Sequence, residues 1–145
     1  MKIPYLNLSI EGELFDKINI RIQKIFKNGQ FILGEELDLF EKTIAKYIGT
    51  EYAIGVNSGY SALVLALKSL SINEGDEVIT VSNTFIATIS AIEAVGAKPV
   101  FVDVGKDGNI DPLSIETAIS EKTKCVLPVH LAGIPCNMGE INRIA

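Results

Sequence analysis

Cysteine, histidine and tryptophan are scarce in this sequence, which has two, one and none of them in 145 positions. The two cysteines and the histidine show neither C-x-x-C nor H-x-x-x-H spacing, so no metal site is expected. Cys125 falls in an expected buried strand and Cys136 in the loop after it, a placement that suits free thiols in a reducing compartment. Long apolar runs are also missing. None approaches the roughly 18 residues needed to cross a bilayer. The opening Met1-Lys2-Ile3-Pro4-Tyr5 lacks the apolar stretch of a secretory signal, so the cytoplasm is the expected location. Positive charge is short as well: 13 Lys and Arg face 18 Asp and Glu, leaving a net charge of −5, and the basic residues never form a block. Such a surface repels phosphate backbones, so neither nucleic acid nor membrane is an expected partner.

What is present reads as folded α/β material. Hydrophobic residues make up 48% and charged residues 21%, which excludes a disordered tail. After an extended opening at 3–8, Leu14, Phe15, Ile18, Ile22, Ile25 and Phe26 recur at helical steps, with Gly29 as a stop. A second helix carries Leu37, Phe40, Ile44, Tyr47 and Ile48 and ends at Gly49. Strands are then expected at 52–56, 77–81, 100–104 and 124–129, with helices from about 59 to 70 and 86 to 95 between them. Asp111 caps a further helix with Pro112 at its first position, and Asn137 with Glu140 opens a last one. Near-continuous apolar strands alternating with helices predict a mainly parallel sheet covered on both faces. The final helix stops at Ala145 after about two turns, so the chain is expected to be the front portion of a longer one.

One turn stands out as a site. Expected strand 52–56 runs into Asn57-Ser58-Gly59-Tyr60-Ser61 and a helix. Unpaired N–H groups at a helix start, with the positive end of the dipole behind them, suit a phosphate. The spacing matches neither the Walker loop nor the dinucleotide fingerprint. Taken alone, the turn reads equally as a serine N-cap with a glycine for packing. The next strand ends at Ser82-Asn83-Thr84-Phe85, where an aromatic ring can stack on a flat cofactor or simply pack under the loop. Asp103 at its strand end reads as loop-ordering. His130 closes the last strand and reads as a packed, hydrogen-bonded residue.

Taken in order, these segments resemble the DegT/DnrJ/EryC1/StrS family of sugar aminotransferases. The resemblance runs through Ile3-Pro4-Tyr5-Leu6-Asn7-Leu8, Gly29-Gln30-Phe31-Ile32-Leu33-Gly34 with Phe40-Glu41, and the turn from Asn57 to Leu63. It continues through Gly75-Asp76-Glu77-Val78-Ile79, Thr84-Phe85-Ile86-Ala87-Thr88, Gly96 to Asp103, and Val129-His130-Leu131-Ala132-Gly133. It implies the N-terminal part of a fold type I large domain, with 1–30 as an extended segment and helix and 31–145 as a partial cofactor-binding domain. It also implies pyridoxal phosphate as cofactor, held at Ser58, Gly59, Tyr60 and Ser61, with Phe85 stacked on its ring. Tyr60 departs from the family's usual Thr and so loses a short hydroxyl.

The implied reaction is transamination of a nucleotide-linked keto-sugar with glutamate as amino donor, in a homodimer. The family's Schiff-base lysine and pyridine-pairing acid fall on segments beyond Ala145. No catalytic residue is therefore expected within the chain, and the chain alone is expected to be inactive. A sugar dehydratase of the same family, or a non-enzymatic regulatory module, are the alternative readings.

Overall fold

The amphipathic repeats of the first fifty residues fold as helices, α1 (Glu13–Asn28) and α2 (Glu35–Ile48). Each stops at the expected glycine. Gly29 (φ 68°) and Gly49 (φ 82°) turn left-handed, which lets their N–H groups donate back to the Ile25 and Ala45 carbonyls. The structure is a computed structural model describing Pro4 and residues 6–145, so part of the expected extended opening lies outside the described residues. By its internal contacts the chain divides into two units, Met1–Gly55 and Val56–Ala145.

In the first unit the helical pattern forms without a closed core. Only Ala45 of the two helices is buried, and Leu14, Phe15, Ile22 and Phe26 of α1 remain exposed. Phe26 packs edge-on against Phe31, with ring centroids 5.7 Å apart. Arg21 pairs with Glu36 at 2.5 Å and Lys24 with Glu35 at 2.6 Å.

The strand expected at 52–56 does not form. Its burial alternates as a strand's would, with Ala53 and Gly55 half-buried and their neighbours exposed. A strand exists only as part of a hydrogen-bonded ladder, however, and this segment has no ladder partner among the described residues. The Gly55 N–H donates instead to Glu41 Oε1 at 2.7 Å. A Cβ on Gly55 would lie 2.6 Å from Leu37 Cδ1, so a side chain here requires Leu37 to shift.

The second unit holds the expected parallel sheet, in the order β2-β1-β3, with β1 Glu77–Val81, β2 Lys98–Val102 and β3 Thr123–Val126. The central strand alternates between two cores. Val78 joins Leu67, Ile72, Ala91, Ile92 and Ala97 under α3 (Gly59–Ser69) and α4 (Ala87–Ala94). Ile79 and Val81 join Ile110, Ile115, Cys136 and Ile141 under α5 (Pro112–Ala118) and α6 (Met138–Ile144). Each fully buried Ile or Val there contributes roughly 1.5–3 kcal/mol.

Two strand bounds differ from expectation, for local reasons. β2 starts before Pro99, which is tolerated because β2 is an edge strand whose missing N–H faces no partner. It ends at Val102, where the Asp103 carbonyl turns to accept the Asp111 N–H and Val104 bridges Ile110. β3 ends three residues early. Leu127 still donates its N–H to Ile79, but its carbonyl accepts the Thr80 hydroxyl at 2.9 Å, and Pro128 cannot extend the ladder. The expected caps are present: the Asp111 side chain accepts from the Leu113 N–H and that of Asn137 from the Glu140 N–H. Both cysteines are free thiols. Among the described residues no helix is long and apolar enough to cross a membrane.

Candidate functional site

The second unit gathers its candidate residues along one edge of the sheet. All three strands run parallel, so β1 and β3 deliver Thr84-Phe85 and Val129-His130 beyond their carboxyl ends. Helix α3 leads through 70–76 into the start of β1, and its Leu67 shares a core with Ile72 and Val78. Eleven helical residues span ~16 Å, about the length of a five-residue strand. The N-terminus of α3, carrying the 57–61 turn, therefore opens at the carboxyl edge too. Ligands of parallel sheets sit beyond this edge.

At the turn the expected serine cap is present. Ser58 is an N-cap: its Oγ accepts the Ser61 N–H at 3.1 Å and lies 3.1 Å from Ser61 Oγ. The Ala62 N–H donates to the Ser58 carbonyl. This leaves the N–H groups of Gly59 and Tyr60 without a protein partner among the described residues. Packing does not explain Gly59. Its φ is outside the left-handed range, and a Cβ built on it meets nothing within 4 Å. Beside it Val56, Asn57, Tyr60, Ser61, Val64 and Leu65 line an open concavity of about 370 Å³, within the usual size range of small-molecule sites.

Phe85 is 77% exposed, so it does not pack under its loop. Behind it, Thr84 Oγ1 and Thr88 Oγ1 lie 2.8 Å apart at the start of α4. Asp103 is exposed, and it is its backbone carbonyl that orders the following loop. His130 is hydrogen-bonded as expected, with Nδ1 accepting the Cys136 N–H at 3.0 Å, but its side chain is exposed.

Sequence pattern did not single out Asn109. It is 1% exposed and saturates its carboxamide across two loops. Oδ1 accepts the Leu131 N–H at 3.0 Å, while Nδ2 donates to the Ile134 carbonyl at 3.0 Å and lies 3.4 Å from that of Pro135. Only its place between Asp107-Gly108 and Ile110-Asp111 marked it, and that reads as an ordinary turn.

Groups suited to other chemistry are not assembled. Burial pushes the Cys125 thiol above its ordinary pKa, which keeps it protonated and a poor nucleophile. Lys98 pairs with Glu77 at 3.7 Å at the opposite end of the strands, and Lys122 and Lys124 lie near the start of β3. Lys106 sits exposed in the loop after β2. Among the described residues no group of three His, Cys, Asp or Glu is placed to hold a metal ion.

Residues 13–145 match the DegT/DnrJ/EryC1/StrS aminotransferase family. A dTDP-3-amino-3,4,6-trideoxy-alpha-D-glucose transaminase of Streptomyces venezuelae is 42% identical, covering 99% of this chain and 38% of that protein. A pleiotropic regulatory protein of Geobacillus stearothermophilus is 40% identical, covering 100% and 40%. The crystal structure of NtdA from Bacillus subtilis with bound cofactor PMP superposes with a TM-score of 0.94 at 37% identity, covering 99% of this chain and 34% of that one. The chain thus spans less than half the length of these relatives.

Proposed function

The chain belongs to the DegT/DnrJ/EryC1/StrS aminotransferase family and folds as part of a fold type I aminotransferase; from that premise we propose that it is the phosphate-binding front part of an enzyme that transaminates a nucleotide-linked keto-sugar. The observation that carries this reading is Gly59, a glycine required neither by its φ nor by protein packing. Such a residue keeps space open for a ligand to approach the backbone, and the two free N–H groups beside it lie at the positive end of α3.

The cofactor in this reading is pyridoxal phosphate, which when bound supplies an electron sink for moving an amino group. The chain's own residues fit its phosphate. Gly59 and Tyr60 offer their amides, Ser58 holds the first turn of α3 in place, and Ser61 adds a hydroxyl. Phe85, exposed on the same edge, covers the flat ring. These groups bind and orient; none is assigned a proton transfer. Lys98, Lys106, Lys122 and Lys124 are not proposed for covalent attachment, and the 145 residues alone are proposed to be inactive. Glutamate as amino donor, a cytoplasmic setting and a homodimeric whole protein complete the reading.

Pyridoxamine phosphate tests the site cleanly, because without an aldehyde it does not react with surface lysines. Its fluorescence should respond saturably to the protein, and inorganic phosphate should compete. Gly59→Glu places an anion where α3 tolerates one but the phosphate does not. Binding should weaken by about tenfold or more with no fall in melting temperature. Equal binding by the variant, or none by the parent chain, would overturn the reading.

A second reading is a non-catalytic regulatory module, and the Geobacillus relative's name favours it. The net charge of −5 argues against nucleic acid as its target. A salt-sensitive, sequence-dependent gel shift would favour this second reading.

A further inference from the structure

The loop between Gly105 and Asn109 ties together the tails of the other two strands. The Asn83 Nδ2 donates to the Gly108 carbonyl at 3.2 Å, anchoring the segment that carries Thr84-Phe85. A Cβ on Gly108 would lie 3.2 Å from Leu131 Cδ2 and 3.5 Å from Asn83 Nδ2, so both tails press on the same backbone. Asn109, the next residue, binds the Leu131 N–H and the Ile134 carbonyl. The segment leading to Phe85 and the loop following His130 are therefore fixed to one turn, on the edge where α3 presents its free amides.

His130 has a defined donor in that setting. Its Nδ1 accepts the Cys136 N–H and so carries no proton, while the Cys136 thiol donates to the Val129 carbonyl at 3.1 Å. A neutral imidazole with Nδ1 accepting must be protonated at Nε2. The ring is thus held from behind by a backbone amide, with a single N–H left to donate and an exposed side chain. A histidine serving only to hold its loop needs the acceptor and leaves the donor unused.

We propose that His130 is a further cofactor-binding residue, its Nε2–H donating to an acceptor oxygen of pyridoxal phosphate bound across the α3 turn and Phe85. This inference rests on the phosphate-turn reading. Asn109 acts behind it as a positioning residue, through the loop that it holds.

His130→Asn separates the two ring nitrogens, because the Asn oxygen reaches the Nδ1 position and its side chain falls short of Nε2. The expected result is an unchanged melting temperature with pyridoxamine phosphate affinity reduced about tenfold. Unchanged affinity would overturn the proposal. His130→Gln and His130→Leu supply a second comparison, since both lose the Nδ1 acceptor but only Gln keeps a donor near Nε2. Gln should bind the probe more tightly than Leu at similar melting temperature, and equal affinities would also overturn the proposal. A parent chain that fails to bind the probe sinks the phosphate-turn reading and this inference together. Binding that responds to Gly59→Glu but to none of the His130 variants sinks this one alone.

Discussion

The two units carry different helices: α1 and α2 are one-sided, while α3 and α4 are apolar round much of their surface. In the second, α3, α4, α5 and α6 each bury residues in one of the two cores that include β1, and Val78, Ile79, Ala91, Ile92 and Ile115 are fully buried. In the first, α1 and α2 show a clean helical stripe, yet Ala45 is their one buried residue. The difference lies in what each stripe meets. A parallel sheet offers two flat apolar faces, whereas α1 finds no comparable surface within its own unit. A hydrophobic period thus states that a helix has an inner side and leaves open what covers it.

The sharpest way to break this comparison is a matched pair of truncations. Ile79→Ala in β1 should cost about 2–5 kcal/mol and lower the melting temperature by roughly 5–15 °C. Ile22→Ala on α1 should change stability by no more than about 0.5 kcal/mol. A loss at Ile22 as large as that at Ile79 would mean that the α1 face is covered in solution.

The next effect tests how far the second unit's order depends on polar ties as well as its cores. Asn109→Ala should cost about 1–3 kcal/mol by stranding the Leu131 N–H and Ile134 carbonyl. Hydrogen exchange at Leu131 should accelerate while exchange in β1 stays slow, and protection at Leu131 equal to the parent would remove Asn109 from this role.

The smallest effect is expected at the first unit's ion pairs. Lys24, by hydrogen bond and charge, holds the Glu35 carboxyl below its ordinary pKa, and Glu35 raises that of Lys24. Any stabilisation from the lowered carboxyl is present above its unfolded pKa and lost as pH falls through the lowered value. The lysine's share is lost only as pH rises through its raised value. Both groups are fully exposed, so solvent screens the pair. Glu35→Gln should leave the neutral-pH denaturation midpoint unchanged, and a clear shift would give the first unit an electrostatic stability that its apolar faces do not show.

Much of both units was legible from local pattern. The β1 bounds, the N-caps Asp111 and Asn137 and the stops at Gly29 and Gly49 each depend on a few neighbouring residues, so short windows reveal them. The strand expected at 52–56 failed because a ladder needs a partner that no window contains. β3 was overestimated for a similar reason: Thr80, 47 residues away, takes the Leu127 carbonyl. At the candidate site the turn and Phe85 were visible as residue types in order, while the role of Asn109 was not, because the Leu131 and Ile134 groups it ties lie more than twenty residues along the chain.

The sequence by itself determined that this protein alternates helix and parallel strand, where its helices begin and end, and which family it resembles. The helices and strands follow from side-chain period, capping chemistry and glycine conformation, all of them local, and the resemblance rests on the order of short motifs. Only the tertiary structure decided which apolar faces are covered and which extended segments become strands. It also showed that Gly59 faces open space and that His130 is held through one nitrogen with the other left to donate. Burial, ladder pairing and free volume depend on residues distant in the chain, and a linear pattern does not specify those distances.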